Sequence, residues 1–133
     1  YDGFMLADDY AHHPTEIKAT LSAAKELDYN NVIAVFQPFT FSRTALLKDD
    51  FIKALSIADK VILTPIMGSR EKNTYGIKSE DLAAGLHDVC VVDGFENIAD
   101  TIEEIAHPGD LVITMGGGDI YKAAHIIQGR HAE

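Results

Sequence analysis

The chain has 133 residues, of which 47% are hydrophobic and 24% charged, a composition typical of one soluble globular domain. Its 11 basic and 21 acidic residues give a net charge of -10, which leaves too few Lys and Arg for a nucleic-acid-binding face. No apolar stretch approaches the length of a membrane span, and no signal peptide is visible. The chain begins at Tyr1 and not at Met, and we expect it to be part of something longer.

Five apolar segments, most of them continuously apolar and β-branched, alternate with helical patterns. The predicted strands are residues 3–7, 32–36, 61–64, 89–92 and 111–115. Continuously apolar strands are typical of a parallel sheet that is covered on both faces. The alternation therefore predicts an α/β fold with a doubly wound, mostly parallel sheet and flanking helices, Rossmann-like in architecture.

Apolar residues recur at helical spacing between the predicted strands. We interpret the stripes as core: Ile17, Leu21 and Ala24; Leu47, Phe51, Ala54, Leu55 and Ala58; Ile98, Ile102 and Ile105; Ile120, Ala123, Ala124 and Ile127. Pro14 suits the first turn of the opening helix, and Ser79 is the predicted N-cap of a short helix over residues 80–86. Cys90 lies in an apolar run and is predicted to be a buried, inert thiol, which fits a reducing cytoplasm.

The most informative segment is the run Asp8-Asp9-Tyr10-Ala11-His12-His13, which follows the first predicted strand. Ligands of open α/β sheets bind at the carboxyl ends of the strands, so we interpret this run as a binding site. Asp9 either accepts ligand hydroxyls or caps the turn, and Asp8 is interpreted as structural. His13 is interpreted as packed at the helix start, and His12 is the better candidate for contact with ligand. A metal centre is disfavoured because neighbouring histidines rarely face one ion.

Three other polar segments follow predicted strands: residues 37–44, 65–78 and 116–119. In the first, Arg43 either holds a carboxylate or phosphate or pairs with a nearby acid, and Thr44 is the predicted helix N-cap. Phe39 and Phe41 are interpreted as packing residues. The glycine run 116–118 fails the dinucleotide fingerprint, because Tyr121 occupies the position of the third glycine, and the chain has no Gly-Lys-Ser/Thr phosphate loop.

Three motifs together resemble the carboxy-terminal domain of the Mur ligases. They are Asp8-Asp9-Tyr10-Ala11-His12-His13-Pro14-Thr15-Glu16, then Phe36-Gln37-Pro38 with Thr40-Phe41-Ser42-Arg43-Thr44, and then Gly116-Gly117-Gly118-Asp119-Ile120. The resemblance covers essentially the whole chain in matching order, and it is closest to the branch that adds L-alanine to UDP-N-acetylmuramate. It implies that residues 1–133 form the lid domain of an ATP-dependent, amide-forming ligase. The amino-terminal domain and the central domain, which carries the phosphate loop, would be absent.

The resemblance also implies roles for single residues. Asp9 would accept hydroxyls of the ATP ribose, Tyr10 and His12 would line the amino-acid end of the site, and Arg43 would clamp the alanine carboxylate. Arg70 and Glu71 would lie in a loop at the closing edge. ATP and Mg²⁺ would be held mostly by the central domain, and UDP-N-acetylmuramate by the amino-terminal one. The family commonly has His where this chain has Phe39, which leaves the role of that position open.

Two alternatives remain. A related ligase that reattaches recycled murein peptides shares the opening motif, although the Gln37-to-Thr44 segment favours the alanine-adding branch. A phosphorylated receiver domain matches in size and in its acidic pair after the first strand. It also needs an acceptor Asp after the third strand and a Lys after the fifth, where this chain has Thr64-Pro65 and Gly116-Gly117.

Overall fold

The computed structural model describes residues 4–66, 76–116 and 119–131. Five parallel strands form one sheet in the order β1-β5-β2-β3-β4. The strands are β1 Met5–Asp9, β2 Val32–Phe36, β3 Lys60–Leu63, β4 Val89–Val91 and β5 Leu111–Met115. All five predicted strands are thus confirmed, with one shift that matters: β1 extends to Asp9, so Asp8 and Asp9 are the last residues of the strand and not part of the turn after it.

Six helices connect and flank these strands in the described residues. They are α1 Pro14–Lys25, α2 Phe41–Leu46, α3 Lys48–Leu55, α4 Ser79–Ala83, α5 Phe95–Ile105 and α6 Tyr121–His131. The first layer packs α1, α3 and α4 on one face of the sheet, and the second packs α5 and α6 on the other. This is the doubly wound arrangement that the strand–helix alternation predicts. None of the described helices is long and apolar enough to cross a membrane.

The predicted apolar stripes form the core. Ile17, Leu21 and Phe51 on one face and Ile98 and Ile102 on the other are almost fully buried. The central strands β2 and β5 are buried along their whole length, whereas the edge strand β1 is only partly covered and leaves Met5 54% exposed. Continuous burial on both faces therefore holds for the centre of the sheet and not for this edge.

Two predicted helix caps are wrong. Ser79 is the first residue of α4, not its N-cap; its buried hydroxyl donates to the carbonyl of Thr64, and the Lys78 N–H donates to Asp81 Oδ2 at 2.8 Å instead. Thr44 lies inside α2, whose N-cap is Thr40. Both helices begin earlier than the sequence predicts, α4 at Ser79 and α2 at Phe41. The hydroxyls of Ser79 and Thr44 therefore lie within the helices, and each donates to a backbone carbonyl and does not cap a helix.

Cys90 also departs from prediction, because it is exposed. It lies in β4, the other edge strand, where alternate side chains face outward. Partial burial and the neighbouring Asp88 carboxylate raise the pKa of its thiol, which disfavours the reactive thiolate. The predicted burial of Cys90 is therefore wrong, and the raised pKa of the thiol is what favours low reactivity.

Ion pairs fix the ends of several elements. Arg130 of α6 contacts three carboxylates one or two turns apart on α5, those of Glu96, Asp100 and Glu103, at 2.7–2.9 Å. These contacts, that of Glu103 first, raise the pKa of Arg130. At the opposite face, Asp59 accepts from Lys25 Nζ at 2.9 Å and from the Val32 N–H at 2.7 Å, which joins the end of α1 to the start of β2.

The Asp59 contacts predict a pH-dependent contribution to stability. Burial acts to raise the pKa of Asp59, but donation by Lys25 and Val32 outweighs it, so the folded pKa is lowered. A lowered pKa stabilises the fold above the unfolded value, about 4, and that stability is lost as pH falls through the folded value. We expect Asp59→Asn to lower the urea midpoint at pH 7 and to flatten its decline below about pH 4. Asp28→Asn, at an exposed position, is the control; parallel profiles for the wild type and Asp59→Asn would contradict the assignment.

Candidate functional site

The carboxyl ends of the parallel strands bring the polar segments to one edge of the sheet. Asp9, Met115 and Phe36 lie level with one another across β1, β5 and β2. Gln37 directly follows Phe36, and Gly116 directly follows Met115. The end of β2 is thus two strand spacings, about 10 Å, from Asp9. The predicted convergence of the segments at 8–13, 37–44 and 116–119 is confirmed for their described residues. The fourth segment lies mostly outside them, since residues 67–75, with Arg70 and Glu71, are not described.

Asp9 closes the turn between β1 and α1. Its Oδ1 accepts from the N–H of Ala11 at 2.9 Å, and its Oδ2 accepts from the hydroxyl of Thr20 on α1 at 3.1 Å. The side chain is half-buried. Each carboxylate oxygen has two lone pairs, so the capping bonds leave acceptor capacity on both oxygens. The two interpretations offered by the sequence, turn capping and acceptance of ligand hydroxyls, are therefore compatible in this geometry.

Asp8 has a cross-strand partner. Its Oδ1 accepts from the hydroxyl of Thr114 at 2.6 Å, and the two residues are paired in register between β1 and β5. Thr114 is fully buried, and Asp8 is exposed. The bond satisfies a buried hydroxyl and joins the edge strand β1 to β5, which accords with the structural interpretation of Asp8.

The adjacent histidines are held in different ways. His12 Nδ1 lies 3.0 Å from the carbonyl oxygen of Tyr10, and because a carbonyl can only accept, Nδ1 is the donor and carries the proton. His13 Nδ1 accepts from the N–H of Thr15 at 3.3 Å, so in this ring Nδ1 is unprotonated. In its neutral form His12 therefore presents Nε2 as an acceptor, whereas His13 is the N-cap of α1. His13 is exposed at the helix start, so it caps without being packed there.

Glu16 completes this cap. Its Oε1 accepts from the N–H of His12 at 3.4 Å and of His13 at 3.1 Å, which forms a capping box at the start of α1. The backbone bonds from His12 and then His13 lower the pKa of Glu16. The carboxylate also lies 3.5 Å from His12 Nδ1. These contacts fix the backbone of the two histidines and so determine where the His12 ring lies.

Tyr10 projects from the same turn. It is 70% exposed, and its ring packs edge-on against that of His12 with the centroids 5.4 Å apart. An aromatic ring this exposed contributes little to the core, and the edge-on contact limits how the His12 ring can rotate. The structure thus places three of the predicted site residues, Asp9, Tyr10 and His12, at the end of β1 and directly after it, in a segment that we call the Asp9–His12 turn.

Arg43 lies in the first turn of α2 and not in the loop before it, as the predicted cap at Thr44 implied. Its backbone N–H donates to Thr40 Oγ1 at 3.4 Å, and its side chain is half-buried. In the described part of the chain, no carboxylate lies within ion-pair distance of its guanidinium. The alternative in which Arg43 pairs with a nearby acid thus has no support from these residues. Phe39 and Phe41, which flank Thr40, are each half-buried.

Thr40 has an unusual backbone conformation. Its φ of 63° and ψ of 142° are close to a region populated essentially by glycine, and no other described residue except glycine has a positive φ. Its carbonyl accepts from the Thr44 N–H at 3.3 Å and from the buried Thr44 hydroxyl at 2.7 Å. The strained residue is therefore held by α2 itself, and it aims the first turn of the helix that carries Arg43.

Sequence reasoning missed Gln37 as a site residue, although it lies in the second motif. It is buried, and its side-chain amide bonds to the start of α6: Nε2 donates to Asp119 Oδ1 at 3.1 Å, and Oε1 accepts from the N–H groups of Asp119 and Ile120 at 3.0 and 3.1 Å. The position of a polar residue directly after a buried strand could have indicated a role for Gln37. Its partner Asp119, however, lies 82 positions away in the sequence.

The glycine segment is only partly described, because residues 117 and 118 lie outside the described ranges. Gly116 has a φ of 154°, and a Cβ there would lie 3.0 Å from the backbone oxygen of Gln37. Close approach of two backbones thus requires this glycine. Among the described residues, no group of three or more His, Cys, Asp or Glu side chains is arranged to hold a metal ion.

Comparison with known proteins places this arrangement in a family. Residues 1–118 match the sequence model of a protein family that is described as "Mur ligase, glutamate ligase domain". The chain therefore belongs to the Mur ligase family.

Individual relatives narrow the comparison to one branch. The chain is 49% identical over 130 residues to the UDP-N-acetylmuramate–L-alanine ligase of Caldicellulosiruptor saccharolyticus, which covers 95% of this chain and 29% of the relative. It is 50% identical over 126 residues to the enzyme of the same name from Lachnospira eligens, covering 92% and 28%. The chain thus spans less than a third of the length of these relatives.

Solved structures share the fold. The UDP-N-acetylmuramate-alanine ligase of Thermotoga maritima superposes with a TM-score of 0.73 at 25% identity, covering 98% of this chain and 27% of that one. A murein peptide ligase from Psychrobacter arcticus gives a TM-score of 0.74 at 20% identity, covering 96% and 27%. At that identity the second match shows the fold alone, so it does not separate the two branches.

The strained Thr40 gives a testable prediction. Glycine is normally less stabilising than alanine by about 0.5–1 kcal/mol, but at a positive φ the order is reversed. We expect Thr40→Gly to be more stable than Thr40→Ala by about 1 kcal/mol in urea unfolding, although both lose the hydroxyl cap. Lys78, the exposed N-cap of α4 with a φ of -134°, is the matched position, where the preference for glycine over alanine should be smaller. An equal preference for glycine at the two positions would show that Thr40 is not strained.

Proposed function

We propose that this chain is the carboxy-terminal domain of an ATP-dependent ligase that joins L-alanine to UDP-N-acetylmuramate. Support comes from the relatives that carry this name and match at about half identity over nearly the whole chain. The observation that carries the proposal is Arg43, a half-buried cation with no carboxylate partner among the described residues, held in the first turn of α2 at the edge that also carries Asp9 and His12.

Arg43 suits the carboxylate of an amino acid. A guanidinium can bind both carboxylate oxygens at once, which fixes the orientation of the substrate as well as its position. With the carboxylate held, the α-amine is left unpaired and can be directed at an electrophile. We propose that Tyr10 and His12 line the same amino-acid end. Among these groups His12 can accept a hydrogen bond at Nε2, and the exposed Tyr10 ring can cover the substrate when the site closes.

Asp9 suits the sugar of a nucleotide. An ionised carboxylate accepts hydrogen bonds only, and vicinal hydroxyls of a ribose are donors that match two carboxylate oxygens. Because Ala11 and Thr20 already fix the Asp9 carboxylate, it would bind with little loss of side-chain freedom. We propose that Asp9 contacts the ATP ribose.

The chemistry proposed for the whole enzyme has two steps. The terminal P–O bond of ATP breaks, the γ-phosphoryl group passes to the muramate carboxylate, and an acyl phosphate and ADP are formed. The alanine nitrogen then attacks the acyl carbon; the C–N bond forms, the C–O bond to phosphate breaks, and the amine loses a proton. In this scheme the present domain binds and orients the amine substrate and the ribose.

The remaining parts of the scheme belong to other domains of the same polypeptide. This chain contains no Gly-Lys-Ser/Thr phosphate loop, and its described residues offer no cluster for a metal. We therefore propose that the ATP phosphates, Mg²⁺ and UDP-N-acetylmuramate are held mainly by a central and an amino-terminal domain, with the present domain closing over them as a lid. The proposed setting is the cytoplasm, with no nucleic-acid or membrane partner.

The clamp role of Arg43 can be tested in the full-length enzyme. We expect Arg43→Ala to raise the KM for L-alanine by about 100-fold, because it removes two charge-assisted hydrogen bonds, and to change the KM for ATP by less than about threefold. Arg43→Lys should recover only part of the loss, since an ammonium cannot bind both oxygens in a plane. Lys48→Ala, at an exposed position just beyond α2, is the control for loss of one positive charge.

Equal losses for both substrates in Arg43→Ala would argue against the clamp. The related recycling ligase is separated from the alanine-adding enzyme by the amine donor: free L-alanine should support ligation by the wild type, and an intact tripeptide should not. Ligation of the tripeptide alone would assign the chain to the recycling branch.

A further expectation concerns the 133-residue chain by itself. Because the proposed phosphate loop and sugar site lie elsewhere, we expect it to show no ATPase or ligase activity and to bind ATP weakly or not at all. Phosphate release and amide formation can be measured with all three substrates present. Full turnover by this chain alone would overturn the proposed division of the reaction among domains.

A further inference from the structure

The loop after β2 and the start of α6 are joined by one side chain. Gln37 uses its amide N–H to bond Asp119 and its amide oxygen to bond the N–H groups of Asp119 and Ile120, while its own backbone N–H donates to the carbonyl of Met115 at 3.1 Å. With only 5% of its surface exposed, Gln37 makes these bonds in a dry environment, where an unmade bond is costly.

These bonds connect the two halves of the proposed site. On one side, Gln37 is six residues before Arg43 and begins the segment that aims α2. On the other, Met115 and Gly116 belong to the strand and turn that lie between Gln37 and Asp9. A Cβ on Gly116 would also meet the Gln37 side chain, at 3.3 Å from its Cβ, so the two turns are interlocked by packing as well as by hydrogen bonds.

We propose that Gln37 is a positioning residue that sets the distance between Arg43 and the Asp9–His12 turn, and through that distance determines how well the amine substrate is held. The inference rests on the proposed function and deepens it. Gln37 does not touch the substrate. It acts by fixing the strand-end turns to which the contacting residues are attached, where a misplacement of about 1 Å can cost up to about 100-fold in rate.

The chemistry of the position requires an amide. One end must accept from two backbone N–H groups and the other must donate to the carboxylate of Asp119. In Gln37→Glu the accepting end is kept, but the other oxygen faces Asp119 Oδ1, so that two acceptors and two negative charges oppose each other. In the double variant Gln37→Glu with Asp119→Asn, the amide at position 119 supplies the missing donor, and the net charge equals that of the wild type.

The test is the kinetics of these variants in the full-length enzyme. We expect Gln37→Glu to raise the KM for L-alanine by about tenfold or more while the KM for ATP stays within about twofold, and we expect the double variant to return to within about threefold of the wild type. Asp119→Asn alone is the matched control, because its amide oxygen can still accept from Gln37. An unchanged KM for L-alanine in Gln37→Glu, or no recovery in the double variant, would overturn the inference.

Failure of the proposed function would look different. A wild-type enzyme that ligates neither L-alanine nor the tripeptide would overturn the function itself. In that case hydrogen exchange in the 133-residue chain decides whether Gln37 joins the two turns: the amides of Asp119 and Ile120 should exchange faster in Gln37→Glu and recover in the double variant. Equal exchange in the wild type and Gln37→Glu would overturn the joining of the turns.

Discussion

The position of β5 between β1 and β2 is the constraint on which the site depends. In the described residues, the last strand lies between the first two, and β1 pairs only with β5. The hydrogen bond between Asp8 and Thr114 fixes the register of β1 against β5, and this register places Asp9 beside Met115. Because these contacts join residues more than 100 positions apart, the Asp9–His12 turn and the Arg43 segment reach their relative positions only when β5 has been inserted. The site is therefore a product of topology, and no local segment contains it.

Much of this could be predicted from sequence. Burial on one or both faces leaves a periodic pattern in the sequence, which locates all five strands, with β1 shifted by two residues, and the helix stripes, such as Ile17 with Leu21. The sequence pattern does not distinguish an edge strand from a central one. The apolar run around Cys90 resembles a central strand, but Cys90 is exposed because β4 lies at the edge of the sheet, and hydrophobic periodicity does not encode strand order. The caps failed for another reason. Thr44 and the observed cap Thr40 are the same residue type, and which of them caps α2 depends on the backbone torsions of the preceding loop.

The residues of the site were found less evenly. Asp9, Tyr10 and His12 are close in sequence, and such a concentration of polar side chains directly after a strand is enough to predict a binding site. Gln37 lies in the second motif, but the sequence indicates no role for it, because its side-chain oxygen bonds to N–H groups at the start of α6 that are remote in the chain. When most partners of a side chain are backbone atoms, as for Gln37, no particular residue type elsewhere in the sequence indicates the contact. Such residues become visible only through geometry.

The same geometry bears on where phosphate can bind. Backbone N–H groups at helix N-termini are common phosphate sites in α/β proteins. At this edge, three such helix starts are bonded by side chains of the chain itself: α1 by His13 and Glu16, α2 by Thr40, and α6 by Gln37. Donors already satisfied by protein acceptors gain little from an anion that must first displace them. The half-buried guanidinium of Arg43 is a different kind of group, since the described residues give it no carboxylate to displace. This contrast supports the proposed function, in which the domain recognises a carboxylate and a ribose and the phosphates of ATP are held by another part of the polypeptide.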